Sequence, residues 1–212
     1  MNRFAALLAA AVVAIAAPPA RAQEDMPPPM PEGQFYGRPH GGLFLQLDAA
    51  IGYMSTSSSA GGVDVSAAGF AGEFGAAAGV RLDDLVLAGQ FWILGSGSPT
   101  VTAGGVSSYN SGAAVYLSGV GFTFLFHFSD GWYMSATPSI TRLSVAYNGQ
   151  TESSDQGFGA RFAIGNASYL GRGPVTASLA LYLYLSSNTT SGPYSPTWGT
   201  AGIALGGTFG IN

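Results

Sequence analysis

Residues 69–94 read GFAGEFGAAAGVRLDDLVLAGQFWIL. The stretch is greasy enough for a buried segment, yet it carries Glu73, Arg81, Asp83, Asp84 and Gln90. Parity separates the two classes. Phe70, Gly72, Phe74, Ala76, Ala78, Val80 and Leu82 are even, whereas Ala71, Glu73, Gly75, Ala77, Gly79 and Arg81 are odd. A strand alternates its side chains between two faces, so a period of two that sorts apolar from small or charged predicts β structure. After Asp83-Asp84 the alternation restarts, with Leu85, Leu87, Phe91 and Ile93 against Val86, Ala88, Gln90 and Trp92. The acidic pair predicts a tight turn between two strands.

The same parity test finds six more segments. The first, GLFLQLDAAIGYM (42–54), sets Leu43, Leu45, Leu47, Ile51 and Tyr53 against Phe44, Gln46, Asp48 and Gly52. AAVYLSGVGFTFLFHF (113–128) has the strongest aromatic stripe, Tyr116, Val120, Phe122, Phe124, Phe126 and Phe128, opposite Gly119, Gly121, Thr123, Leu125 and His127. In WYMSATPSITRLSVAY (132–147) the parity reads as flipping near Arg142. Pro138 cannot donate to a ladder, so a bulge or kink is expected there. FGARFAIGNASYL (158–170) places Arg161 on the small face. In residues 175–186 leucines alternate with Thr176, Ser178, Ala180, Tyr182 and Tyr184, and GTAGIALGGTFGIN (199–212) supplies the eighth segment.

The connections alternate as well. Those after the first, third, fifth and seventh segments are long and rich in Ser, Gly, Thr and Asn: STSSSAGGVDVSA, GSGSPTVTAGGVSSYNSG, NGQTESSDQ and SNTTSGPYSPT. The others, Asp83-Asp84, SDG and GRGP, are short. All long loops therefore leave one end of the sheet and all tight turns the other.

Composition sets the solvent. The chain of 212 residues has 7 Lys+Arg, all of them arginine, 11 Asp+Glu, a net charge of −4 and no cysteine. Charged residues make up 8%, against roughly 25% in ordinary soluble domains. There is no basic cluster, which excludes a nucleic-acid partner. The N-terminus, MNRFAALLAAAVVAIAAPPARAQED, has Arg3, an apolar run from Phe4 to Ala17 and then Ala20-Arg21-Ala22. It reads as a secretory signal peptide over residues 1–22, because the run is shorter than the roughly 20 residues that a spanning helix needs. Residues 23–41, opening QEDMPPPMPEGQFYGRPH, read as an extended Pro-rich leader. Residues 42–212 then form one domain.

A soluble barrel hides its apolar face, whereas a membrane barrel turns that face outward. Here the second face is Gly, Ala, Ser and Thr with few charges, too sparse for a water-facing exterior. No sheet can cross lipid with unpaired edges, so eight exported amphipathic strands should close on themselves. The expected fold is an all-β, closed, eight-stranded antiparallel up-and-down transmembrane β-barrel. Signal peptide, eight alternating segments, long-short-long connections and a C-terminal amphipathic strand resemble the small eight-stranded outer-membrane proteins, the group of the OmpA transmembrane domain, OmpX and OmpW. The resemblance implies a bacterial outer-membrane location, with termini and short turns in the periplasm and long loops outside. It implies contact with outer-membrane lipid and lipopolysaccharide, and with the barrel assembly machinery. That machinery reads a terminal aromatic residue, and the last aromatic here is Phe209. The protein is expected to be a monomer.

The charges of residues 69–94 then belong in the lumen, where Asp48, Glu73, Arg81, Gln90 and Arg161 form a candidate polar network. Counted from the short turns, Glu73 and Arg161 sit at similar depth on strands that face each other across an eight-stranded ring. They are expected to bridge, with Asp48 as a further partner, since a charge in so narrow a space needs one. Tyr53, Phe70, Tyr116, Phe128, Trp132, Phe158 and Phe209 are the candidate interfacial aromatics. No metal-ligand spacing, cofactor motif or phosphate-binding loop is present, and no cofactor is expected. His127 abuts a short turn and His40 lies in the leader, so neither suits lipid chemistry at the outer surface, and no enzyme is expected. Two functions stay open. One is a structural or surface-interaction barrel with a plugged lumen. The other is a narrow channel for small solutes or a conduit for small apolar molecules, favoured by inward glycines such as Gly119, Gly165 and Gly202 if these leave gaps.

Overall fold

The computed structural model describes residues 41–60, 62–129, 131–170, 175–191 and 196–211. The leader and signal segment, with His40, lie outside the described residues, apart from Gly41, which opens the first strand. Among the described residues there are eleven strands: β1 (Gly41–Ala60), β2 (Val63–Leu82), β3 (Leu85–Gly97), β4 (Thr100–Ala103), β5 (Val106–Tyr109), β6 (Ala113–Ser129), β7 (Trp132–Tyr147), β8 (Gln150–Ser153), β9 (Gly157–Tyr169), β10 (Val175–Thr189) and β11 (Thr197–Ile211). Eight of them form the ring β1-β11-β10-β9-β7-β6-β3-β2, which antiparallel pairing of β1 with β2 closes. Closure leaves no unpaired edge within the ring, the condition for backbone to sit in hydrocarbon.

The two faces follow parity. Leu43, Ile51, Phe70, Phe122 and Phe158 are 64, 79, 86, 73 and 78% exposed. Side chains one position away, Phe44, Val86, Trp92, Leu94, Leu117, Tyr182 and Tyr184, are buried to 3% or less. Large apolar groups therefore cover the outside, and the inside is packed.

The remaining strands lie in what composition marks as loops. The Ser-rich stretch 55–67 continues β1 and β2, pairing from Ser55↔Ala68 to Ala60↔Val63, with the turn at Gly62 in the left-handed region (φ 81°). In residues 95–112, β4 pairs with β2 and β5 with β4 around Gly104-Gly105 (φ 56° and 84°). In residues 148–156, β8 folds back on β7 through Asn148-Gly149 (φ 49° and 79°). Such pairs of positive-φ residues make the hairpin turn whose twist matches the strands it joins.

The expected break at Pro138 or Arg142 does not occur. β6 and β7 keep one register on both sides of Pro138, from Gly121↔Ser139 to Phe124↔Ala136, and the irregularity falls between His127 and Ser129, at the turn. Thr141 and Leu143 are both buried and Arg142 is exposed, so the alternation continues past it. The false signal came from Leu143, which points inward to a row of Leu94, Leu117 and Leu143 across β3, β6 and β7.

Candidate functional site: the charged centre of the barrel

Parity sends Asp48 of β1, Glu73 of β2, Gln90 of β3, Thr123 of β6, Thr137 of β7 and Arg161 of β9 into the lumen, and all are buried. β2 and β9 stand across the ring from each other. Arg161 Nη2 donates to Glu73 Oε1 at 3.1 Å and to Asp48 Oδ2 at 2.8 Å. Asp48 also accepts from Gln90 Nε2 at 3.0 Å and from Gln46 Nε2 at 2.5 Å. Gln90 Oε1 in turn accepts the hydroxyls of Thr123 at 2.6 Å and Thr137 at 2.8 Å. The guanidinium carbon of Arg161 lies 4.3 Å from the centre of the Tyr182 ring, a cation–π contact. Hydrogen bonds through one guanidinium and one carboxamide thus tie six strands, and the Tyr182 ring adds β10.

Gly75 makes the convergence possible. A Cβ there would lie 3.0 Å from Asp48 Oδ2 and 3.1 Å from Glu73 Oε1. The other inward glycines hold space that neighbours fill. A Cβ at Gly119 would meet the Trp92 indole at 2.4 Å, at Gly165 the Tyr133 ring at 2.7 Å, and at Gly202 Leu94 Cδ2 at 2.7 Å. Large side chains lie over small ones, so these glycines are not gaps. Trp92 donates to Ser139 Oγ at 3.0 Å and packs 5.4 Å from Tyr184, next to the charged layer.

Arg81 does not join this network. It is 2% exposed, with Nε donating to Asp83 O at 2.8 Å and Nη1 to Tyr169 Oη at 3.3 Å, so it braces the short-turn end. Its position at the last turn of β2 puts it far along the strand from Glu73. His127 is also at that end, its ring 6.0 Å from Tyr133. Thr123, Thr137 and Tyr182 belong to the centre, although parity alone put them on the inner face without marking them as part of the polar network. The available signal was two tyrosines on the small-residue face of β10.

Of the aromatics singled out, Tyr53, Phe70, Tyr116, Phe128, Phe158 and Phe209 are exposed on the outer face and Trp132 is half-buried. Tyr53 and Phe70 meet edge-on at 6.2 Å.

Among known proteins, no family model matches the chain, and no curated protein does. Solved structures do. The chain is similar to neisserial surface protein A (NspA), with a TM-score of 0.53 and 18% identity over 81% of this chain and 97% of that one. Weaker likenesses, which add nothing to that argument, are the outer membrane protease OmpT from Escherichia coli (TM-score 0.39, 9% identity, 80% and 96% covered) and the outer membrane protein OprG from Pseudomonas aeruginosa (0.38, 9%, 82% and 98%). Closed ring, outward apolar face and the likeness to NspA agree: the chain has the fold of the small eight-stranded outer-membrane β-barrels.

Proposed function

We propose that the protein is an integral barrel of a bacterial outer membrane with a structural or surface-interaction role, its lumen closed by side chains. The observation that carries this reading is the Arg161–Asp48–Glu73 junction, which spans the ring and is packed by Trp92, Tyr182 and Tyr184. Eight strands enclose little more than their own side chains, and the inward glycines on which a channel would depend are covered. On this reading the long-connection end does the work, with lipopolysaccharide and outside ligands as partners. The outer face meets lipid, with the exposed aromatics at its two borders, and the assembly machinery inserts the barrel as a monomer. No catalytic role is assigned: His127 sits beside Tyr133 at the short-turn end, away from the outer surface.

Single-channel recording of the refolded mature protein in planar bilayers tests the reading, with Arg161→Ala alongside. Silence from both, with cooperative folding into lipid, is the expected result. Discrete openings in the native protein that grow in Arg161→Ala would replace the closed barrel with a gated channel.

A further inference from the structure

Along β7 and its ring neighbours β6 and β9, the outer face carries a charged side chain at one described position, Arg142. Of the three arginines among the described residues, Arg81 and Arg161 are 2% and 1% exposed, whereas Arg142 is exposed with the parity of Met134 and Ile140. Register fixes its height. Ile140, one step back on that face, pairs with Val120 of β6 and Phe158 of β9, which are 62 and 78% exposed and end the apolar band. Arg142 itself pairs with Ser118, and one step further on Ser144 pairs with Tyr116 of β6 and with Ser153 of β8. Arg142 therefore stands where the outer face changes from apolar to hydroxyl-bearing, with Tyr116 and Phe158 on the strands to either side. No carboxylate shares this patch. Glu152 pairs with Val145 and so takes the face opposite to Ser144, and Asp155 accepts the Ser191 hydroxyl. No ion pair of Arg142 occurs among the described residues. The patch offers donors instead: a guanidinium and the hydroxyls of Ser144 and Ser153, which lie 2.8 Å apart in the open.

We propose that Arg142 holds a phosphate of an outer-leaflet lipid, the phosphorylated head of lipopolysaccharide, with the Ser144 and Ser153 hydroxyls as further donors. The planar fork of a guanidinium matches a phosphate through two parallel hydrogen bonds. The height is that of a headgroup, because aromatic residues mark the border of the hydrocarbon. Chains of the same lipid then lie over Val120, Phe122 and Ile140, 62, 73 and 53% exposed below it. That packing favours a lipid over a free anion: the patch is open on the outside of a barrel wall, and a small ion would find one charge and no enclosure. The proposal names the group that meets the lipopolysaccharide of the reading above, and it rests on that reading's placing of the long connections outside the cell.

The test is titration of lipid A into the mature protein refolded in uncharged maltoside micelles, with retained lipid read by native mass spectrometry. Lipid A with its phosphates, lipid A stripped of them and inorganic phosphate are the three probes. The native protein should retain the phosphorylated lipid, and Arg142→Gln should raise the dissociation constant about tenfold, the effect of losing a charge-assisted hydrogen bond. Arg142→Lys should fall between the two, since an ammonium keeps the charge without the fork. Stripped lipid A should bind native protein and Arg142→Gln alike. The urea midpoint of Arg142→Gln in lipid-free micelles should equal that of the native protein, as no ion pair within the barrel is lost. Equal retention of phosphorylated lipid A by native protein and Arg142→Gln, equal retention of phosphorylated and stripped lipid by the native protein, or saturable binding of inorganic phosphate that Arg142→Gln abolishes would each overturn the proposal. An epitope inserted at Asn148-Gly149 and stained on intact cells reports the orientation separately. Failure of the titration with positive staining overturns the phosphate contact alone, whereas absence of stain overturns the orientation on which it rests.

Discussion

At the centre of the barrel, Arg161 of β9 reaches Asp48 and Glu73 on the far side of the ring. Where β1 and β2 run on past that layer, joined by β4 and β5, a row of Ser57, Ser66, Thr102 and Ser107 crosses four strands. Thr102 and Ser107 hydrogen-bond at 2.8 Å in the open. Both regions are polar and both sit on one continuous sheet. They differ in reach: the central pairs join residues 88 and 113 apart in the chain, the Thr102–Ser107 pair residues only 5 apart. Polar groups that close the ring must be charged, buried and matched across it. Polar groups that only extend a hairpin need no more than hydroxyls that water can replace.

Breaking the central side of this comparison should have the largest effect. Arg161→Ala leaves two buried carboxylates facing each other, and truncating one partner of a buried ion pair costs about 3–5 kcal/mol. Urea titration in vesicles measures it. A loss below 1 kcal/mol would place the layer in the same class as the hydroxyl row. Next in size is the outer face. Phe124→Arg puts a charge on a side chain that is 51% exposed in the middle of the aromatic stripe, and the cost is roughly 2–4 kcal/mol if lipid lies there. The same titration in thinner bilayers sharpens the result, because the penalty falls as the site nears the interface.

Much of this architecture was legible in the sequence, and the failures had separate causes. Alternation in residues 69–94 sorts the inside from the outside because a strand's period is two and leaves no third choice. Counting from Asp83-Asp84 places Glu73 level with Arg161, and the structure joins them. Hairpins beyond the bilayer-spanning band were hidden, although their turns were written plainly: Asn148-Gly149 and Gly104-Gly105 are strong two-residue hairpin signals. Ser- and Thr-rich flanks masked them, since composition says loop wherever no apolar stripe is needed. Arg81 failed for the opposite reason. It has the right parity but the wrong height, and parity carries no height. The tyrosines of β10 were placed on the inner face, yet no pattern along one strand says what they meet across the lumen.

A smaller effect tests how the interior is filled. Gly119→Ala introduces a Cβ 2.4 Å from the Trp92 indole, and overpacking of this kind costs about 1–3 kcal/mol. It should also blue-shift or broaden the emission of Trp92, as the indole is pushed from Ser139. Unchanged stability and fluorescence would mean that the lumen can yield and that the glycine was a gap after all.

The smallest effects belong to the hydroxyl row, and there two substitutions separate side chain from backbone. Thr102→Ala deletes a hydroxyl whose bond to Ser107 is exposed, so stability should stay within about 0.5 kcal/mol of native. Gly149→Ala touches no neighbour, since nothing lies within 4 Å of its Cβ position, but its φ of 79° is one that L residues resist. It should cost about 1 kcal/mol, localised as faster amide exchange in β8 with the ring unaffected. If Thr102→Ala proves the costlier of the two, the hydroxyls hold the extension in place, and the distinction drawn between reach across the ring and extension of a hairpin loses its basis.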